Sequence, residues 1–148
     1  MLDTGCRRAV AGPTWHREMQ ASLIARGFKY GVDFYFEEIT ERYAFGAGKV
    51  FLSKKRWVYP CNPHGQSTTL RIAEIEPDVP GLAGPDEMEI MKVQLDFKSS
   101  PPTATLDNVQ DTLRYSESRH LVVDLLPVAV SHMKIVEITV KVKNMTPF

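Results

Sequence analysis

The residues in this chain best equipped for chemistry stand at its start, as Asp3-Thr4-Gly5 followed by Cys6. A carboxylate can take or give a proton to a reacting group. A neighbouring hydroxyl can fix its loop by hydrogen bonds, and a glycine lets backbone pass close to it. The same tripeptide also makes an ordinary turn, with the Asp carboxylate bonding nearby backbone N–H groups. General acid–base work and a plain Asx turn are thus the two readings of these three residues.

Other constellations are weaker. Four histidines (His16, His64, His120, His132) and two cysteines raise the question of a metal, and Cys61-Asn62-Pro63-His64 has ligand-like spacing. Zinc takes three or four ligands in recognisable pairs, and no second pair accompanies this one, so no metal and no cofactor is expected. His16-Arg17-Glu18-Met19-Gln20 lacks the second histidine of a zincin helix. Gly46-Ala47-Gly48 lacks the downstream glycine and the Lys-Ser/Thr ending of a phosphate loop. Lys54-Lys55-Arg56 is too short a basic run for a binding patch and reads as a solvated strand edge or turn. No Gly-x-Ser-x-Gly or active-cysteine signature occurs.

Any site must be held by short elements, because ten prolines and nine glycines cut the chain into pieces. One segment reads as a helix. Pro13 and Thr14 start it, Trp15, Met19 and Leu23 recur four apart with Ile24 widening the stripe, and Gly27 stops it, which predicts a helix over 14–26. Alternation from Phe28 to Phe36 predicts a strand interrupted by Gly31. Residues 42–52 predict two strands joined through Gly46-Ala47-Gly48, and Arg56 to Tyr59 a further short strand stopped by Pro60. Thr68 to Ile75, Leu95 to Phe97 and Leu121 to Leu126 also read as strands, Ser99 to Ala104 as a loop, and 86–93 as a short helix opened by Pro85. The Val136–Val142 alternation is the cleanest strand of all. The expected class is mainly β with one or two helices.

Composition agrees with a single globular domain. The chain has 148 residues, 43% hydrophobic and 24% charged, with Lys plus Arg equal to Asp plus Glu at 18 each. Zero formal net charge argues against a protein that coats nucleic acid or an anionic membrane. No apolar run approaches a membrane span, and the start lacks a signal-peptide layout. These features predict a cytoplasmic protein with neither nucleic acid nor membrane as partner, its cysteines reduced.

The order of segments resembles the retropepsin family of aspartic proteases, in particular those of copia-like retrotransposon polyproteins. Asp3-Thr4-Gly5 leads to Ala9-Val10-Ala11-Gly12, then to the strand pair around Phe45-Gly46-Ala47-Gly48. Val79-Pro80-Gly81-Leu82-Ala83-Gly84-Pro85-Asp86 follows, with Leu95-Asp96-Phe97 and Ser118 to Leu125 after it. The resemblance covers roughly residues 2–126, and Asp3-Thr4-Gly5 is its specific motif. It implies a barrel of the acid-protease type, with the 14–26 helix added and the whole chain, 1–148, one domain. Asp3 would carry the catalytic carboxylate in a loop shaped by Thr4 and Gly5. Phe45, Gly46, Ala47 and Gly48 would form a flap over substrate, and Leu82, Ala83 and Gly84 would brace the active-site loop.

That chemistry needs two carboxylates, one to activate water and one, protonated, to polarise the amide carbonyl. Held about 3 Å apart they cannot both ionise, so they share a proton and titrate as a pair. Only one Asp-Thr-Gly occurs, since Asp111-Thr112 is followed by Leu113. The second carboxylate must come from another chain, which predicts a two-fold homodimer acting on a polypeptide substrate. The region 133–148 is either an interface strand of that dimer or an ordinary barrel strand. Two features depart from the family. Only Met1 and Leu2 precede the Asp, where relatives carry a strand, which reads as a truncated start. Cys6 stands where Ala or Ser is commoner, which adds a thiol sensitive to oxidation. The expected function is an aspartic endopeptidase. The alternative is a catalytically inactive, truncated remnant serving as a dimerisation or binding module.

Overall fold

The computed structural model describes residues 8–45, 48–62, 67–83, 94–96, 98, 103–106, 109–112, 114–115, 121–125 and 137–140. In chain order these hold β1 (Ala9–Ala11), α1 (Pro13–Ala25), β2 (Tyr35–Phe45), β3 (Lys49–Cys61), β4 (Thr68–Glu74) and β5 (Leu82–Ala83). Then come β6 (Gln94–Asp96), β7 (Thr103–Leu106), β8 (Val109–Thr112), β9 (Arg114–Tyr115), β10 (Leu121–Asp124) and β11 (Glu137–Val140). Eight strands form one mixed sheet in the order β2-β3-β4-β1-β5-β11-β10-β9, and β6-β7-β8 form a second, antiparallel one. The protein is therefore mainly β with one helix among the described residues. Strands β2 and β9 end the larger sheet without pairing to each other among those residues, so the sheet is an open one, where the expectation is a closed or partly closed barrel.

Helix α1 lies within one residue of its expected place. Pro13 occupies the first turn, where its missing N–H costs nothing. The N-terminus is capped from outside the helix: the Asp78 carboxylate accepts from the Thr14 amide at 3.2 Å and from the Thr14 hydroxyl at 2.9 Å. At the other end Phe28 N–H bonds Leu23 O and Gly27 N–H bonds Ile24 O, both at 3.0 Å, the paired bonds of a Schellman stop. Trp15, Met19 and Leu23 are buried as their spacing demands, joined by His16 and Ser22. Ile24 is not part of the stripe and is 58% exposed. At 100° per residue it sits half a turn from Trp15, on the solvent side.

The strand expected over 28–36 begins only at Tyr35. Residues 31–33 form a turn in which Gly31 adopts φ +87°, a conformation that opposes continued extension. Asp33 stabilises it by accepting from the Lys29 amide at 2.8 Å. Phe34 still reaches the core, while Val32 is thrown to solvent. The separate strand expected at Arg56–Tyr59 is instead the second half of a long β3 that runs on through Pro60 to Cys61. Proline fits there because β2 starts opposite Val58, so among the described residues Pro60 has β4 as its only strand neighbour. Thr103 and Ala104, expected in a loop, belong to β7. The short helix expected over 86–93 lies outside the described residues.

Two apolar clusters cover opposite faces of the central strands. On one face α1 lays Trp15, Met19 and Leu23 against Ala9, Ala11, Trp57, Tyr59, Leu70 and Ile72. Alternate residues of the same strands, Val10 and Ala73, meet Tyr43 and Ile75 on the other face, with Ile39, Phe51 and Leu82 packed alongside. Strand β11, the sequence's clearest alternation, pairs antiparallel with β10 and parallel with β5, so both its backbone edges are taken within the chain. No helix among the described residues is long and apolar enough to cross a membrane.

Candidate active site

Asp3, Thr4, Gly5 and Cys6 lie outside the described residues. The chain becomes described at Arg8 and enters β1 directly. That strand is gripped on both sides. It pairs in parallel with β4 (Ala9↔Ile72, Val10↔Ala73, Ala11↔Glu74) and antiparallel with β5 at Val10↔Leu82. Because β4 and β5 are consecutive, β1 is inserted between two strands joined only by 75–81. Backbone bonds extend the grip beyond β1: Ile75 N–H donates to Ala11 O at 3.1 Å, and Gly12 N–H to Val79 O at 2.9 Å.

Of the bracing segment, Ala83 is fully buried and Leu82 half-buried against Val10. These two residues therefore touch the strand that leads away from Asp3-Thr4-Gly5. Gly84 lies outside the described residues.

Of the flap segment, Phe45 pairs with Lys49 at the end of the β2–β3 hairpin. Gly48 has φ +75°, and a Cβ added there would meet nothing within 4 Å, so only its backbone conformation favours glycine. Gly46 and Ala47 lie outside the described residues. The hairpin has a β-bulge between Glu38 and Glu41, where three steps along β2 match two along β3. Beyond the bulge, Tyr43 and Phe51 face each other across the hairpin and pack on the cluster that contains Val10. The hairpin thus packs over β1.

Three charges meet at this crossing. Arg8 Nη1 stands 3.6 Å from Glu41 Oε1, and Arg56 Nη2 contacts the same oxygen. Ser53, opposite Glu41 and fully buried, has its hydroxyl 2.9 Å from Lys55 O and 2.8 Å from Glu74 O, two acceptors that share its one proton. Nothing in the sequence marks Glu41, one of three glutamates between 37 and 41; its partners are fixed by the hairpin's register.

His16 is used differently from either of its sequence readings. It is buried, with Nδ1 2.7 Å from Tyr59 Oη and Nε2 3.0 Å from Ala73 O. A carbonyl can only accept, so Nε2 carries the proton and Nδ1 accepts from the Tyr59 hydroxyl. The Tyr59 oxygen in turn accepts from Gln20 Nε2 at 3.1 Å. Burial pushes the His16 pKa down to about 4, against opposing pulls from Ala73 O and the Glu74 charge. Burial likewise raises the Tyr59 pKa. Among the described residues no three His, Cys, Asp or Glu side chains are grouped to hold a metal; Cys61 is buried, and His64 lies outside those residues.

A separate open cleft of about 560 Å³ runs between α1, the 78–80 segment and β11, lined by Trp15, Glu18, Asp78, Pro80 and Glu137 among others. Its Asp78 carboxylate is engaged by Thr14, and Trp15 Nε1 donates to Glu137 O at 2.9 Å. Its lining includes none of the candidate catalytic, flap or bracing residues. Comparison with known proteins finds no family model, no curated protein and no solved structure that matches this chain.

Proposed function

We propose that this protein is an aspartic endopeptidase of retropepsin-like fold, cleaving polypeptide substrate as a homodimer with one Asp3 from each chain. One observation carries the reading. The strand that leaves Asp3-Thr4-Gly5 is held between the consecutive strands β4 and β5 and is overlaid by a long hairpin with a glycine at its turn. The strand that follows this motif in the chain is thus anchored on both sides, and the hairpin would supply a cover for an extended peptide.

In the proposed reaction the ionised Asp3 takes a proton from water while the water oxygen attacks the amide carbon. The protonated Asp3 of the second copy gives its proton to the carbonyl oxygen, and a tetrahedral diol forms. The first Asp3, now protonated, gives its proton to the amide nitrogen, while the second, now ionised, takes a hydroxyl proton from the diol. The C–N bond breaks, leaving an acid and an amine, and the dyad again holds a single proton. Substrate would lie under the hairpin as an added strand.

Asp3→Asn tests the reading, because it removes the titrating group with little change of volume. The substituted chain is expected to fold with an unchanged melting temperature and to lose hydrolysis of fluorescein-labelled casein by at least about a hundredfold. Undiminished hydrolysis in Asp3→Asn would sink the mechanism.

A further inference from the structure

The outer face of the β2–β3 hairpin carries chemistry that the endopeptidase reading does not use. We propose that this face docks an extended acidic segment of another polypeptide, one with an aliphatic side chain two residues from a carboxylate. Neither Asp3 nor hydrolysis enters the proposal, which goes beyond catalysis and stands apart from it.

The hairpin's register builds the face. Arg42 stands opposite Leu52 and Ala44 opposite Val50, so these four side chains share one side of the two strands. Their alternates, Tyr43 and Phe51, take the other side and pack on the Val10 cluster. Arg42 and Ala44 are exposed, and so are the aliphatics, Val50 at 56% and Leu52 at 49%. Apolar side chains left in water as neighbours, rather than singly, mark a contact surface.

Charge selects the partner. Between 42 and 54 the charged residues are Arg42, Lys49 and Lys54, all basic and all exposed. None of them forms an ion pair among the described residues. The nearest carboxylate in sequence, that of Glu41, is already shared by Arg8 and Arg56. Glu37 and Glu38 stand below the bulge, opposite Arg56 and Lys55. In the sequence Lys54 belongs to a basic run too short for a patch. The hairpin adds Arg42 to it, because Lys54 lies two residues along from Leu52, the partner of Arg42. This local field attracts carboxylates and repels a second copy of the same face.

Shape narrows the class further. Strand β2 ends the larger sheet, so among the described residues its outer backbone edge is open to an added strand. An extended strand repeats its side chains on one face every two residues, about 7 Å apart, as Arg42 and Ala44 do. A carboxylate beside Arg42 therefore puts the side chain two residues on beside Ala44 and Val50, where an aliphatic fits. Nucleic acid and anionic lipid also carry negative charge, but neither uses the aliphatic half of this face. Bases stack on aromatic rings, and interfacial elements sink larger groups such as Trp and Phe into lipid.

The test follows fluorescence anisotropy of a fluorescein-labelled peptide of Glu-Ser-Val-Ser repeats titrated with the full-length chain. The unsubstituted chain and Asp3→Asn are both used, so that cleavage cannot mask binding. A dissociation constant of about 10–100 μM is expected, weakening as salt rises. Arg42→Glu with Lys54→Glu should weaken binding at least about tenfold, and Leu52→Ser about threefold. All three side chains are exposed, so melting temperatures should stay within a few degrees. Should the double variant fail to fold, Lys54→Gln alone decides, with a loss of about threefold. A peptide of Glu-Val-Ser-Ser repeats sends its valines to the opposite face from its carboxylates and should bind about threefold more weakly. Equal binding of the two peptides, or binding untouched by the substitutions, overturns the proposal. Tighter binding of a thymidine oligonucleotide or of phosphatidylserine vesicles, lost in the double variant, overturns it in favour of that ligand. No peptide binding up to about 1 mM overturns it too, and self-association of the double variant would then make the cations guards of the β2 edge. Binding by Asp3→Asn equal to that of the unsubstituted chain sustains docking whether or not the chain hydrolyses casein.

Discussion

His16 shows how burial can turn a residue against its usual chemistry. Its two nitrogens are spent on Tyr59 and Ala73 O, which join α1 to β3 and β4. Its pKa is pushed down from 6.5 to about 4, chiefly by burial. Between those two values the unfolded chain binds a proton that the folded chain refuses. Stability from this group is therefore complete above pH 6.5, falls as pH drops through that window, and is lost by about pH 4. The full effect is about 3 kcal/mol, from roughly 1.4 kcal/mol per pKa unit. Urea unfolding at a series of pH values should show stability falling toward acid with a slope near one proton. His16→Gln, whose amide can still donate to Ala73 O, should flatten that slope at some cost in stability at pH 7. An unchanged slope would mean that other groups carry the acid sensitivity. The proposed dyad works with one shared proton and so favours acid to near-neutral pH. His16 would then lower the stability of the scaffold on the acid side of that range.

At the scale of elements, the β2–β3 hairpin makes the sharpest claim. Gly48 has open space around it but a backbone that other residues adopt at a cost of about 1–2 kcal/mol, so Gly48→Ala tests conformation without adding a clash. Because the turn lies beyond the Tyr43–Phe51 contact, the substitution should lower the melting temperature by only a few degrees. Casein hydrolysis should fall several-fold more than that loss explains; a proportionate loss of both would make the glycine purely structural. The hairpin also shows what the sequence reveals and what it hides. Its two arms were legible from Arg42 to Leu52, because alternation and Gly46-Ala47-Gly48 are local signals. Its true length was not. The bulge at Glu38–Glu41 and the passage of β3 through Pro60 depend on which strand lies alongside, and no local pattern records a neighbour. The same holds for the 28–34 turn, whose apolar residues alternate like a strand while Gly31 and Asp33 fold the backbone back. Helix α1 was legible to within a residue because Pro13 and Gly27 are covalent facts about its ends. Of the site, the motif was visible, whereas Glu41 and the His16–Tyr59 bond join residues 43 apart or lie in a run of like charges where no period selects one.

At the scale of the whole molecule, one Asp-Thr-Gly per chain means that the proposed hydrolysis would be a property of pairs. A single chain lacks the second carboxylate that keeps one proton in the site, so the monomer should be inactive. Specific activity should rise with protein concentration until the dimer is saturated, in step with the dimer fraction from sedimentation. Mixing gives a stricter test that needs no dissociation constant. If Asp3→Asn chains are exchanged with an equal amount of unsubstituted chain, random pairing leaves about a quarter of dimers with two aspartates. Activity should then fall to about a quarter of the unmixed value at equal total concentration, against about a half if each chain works alone. Strand β11 bears on where such a pair forms. Over 137–140 its two edges are occupied by β5 and β10, so these four residues do not offer a free edge to a second copy. Strand β2, by contrast, ends the sheet, but its exposed Glu37 and Glu38 would face their own counterparts in an antiparallel self-pairing and repel. The dimer contact is therefore expected away from both, and reversing charge at Glu38 with Glu38→Lys should leave the dilution curve where it was. A shift of that curve would put β2 in the interface, whereas activity independent of concentration in a clean monomer would refute the shared site altogether.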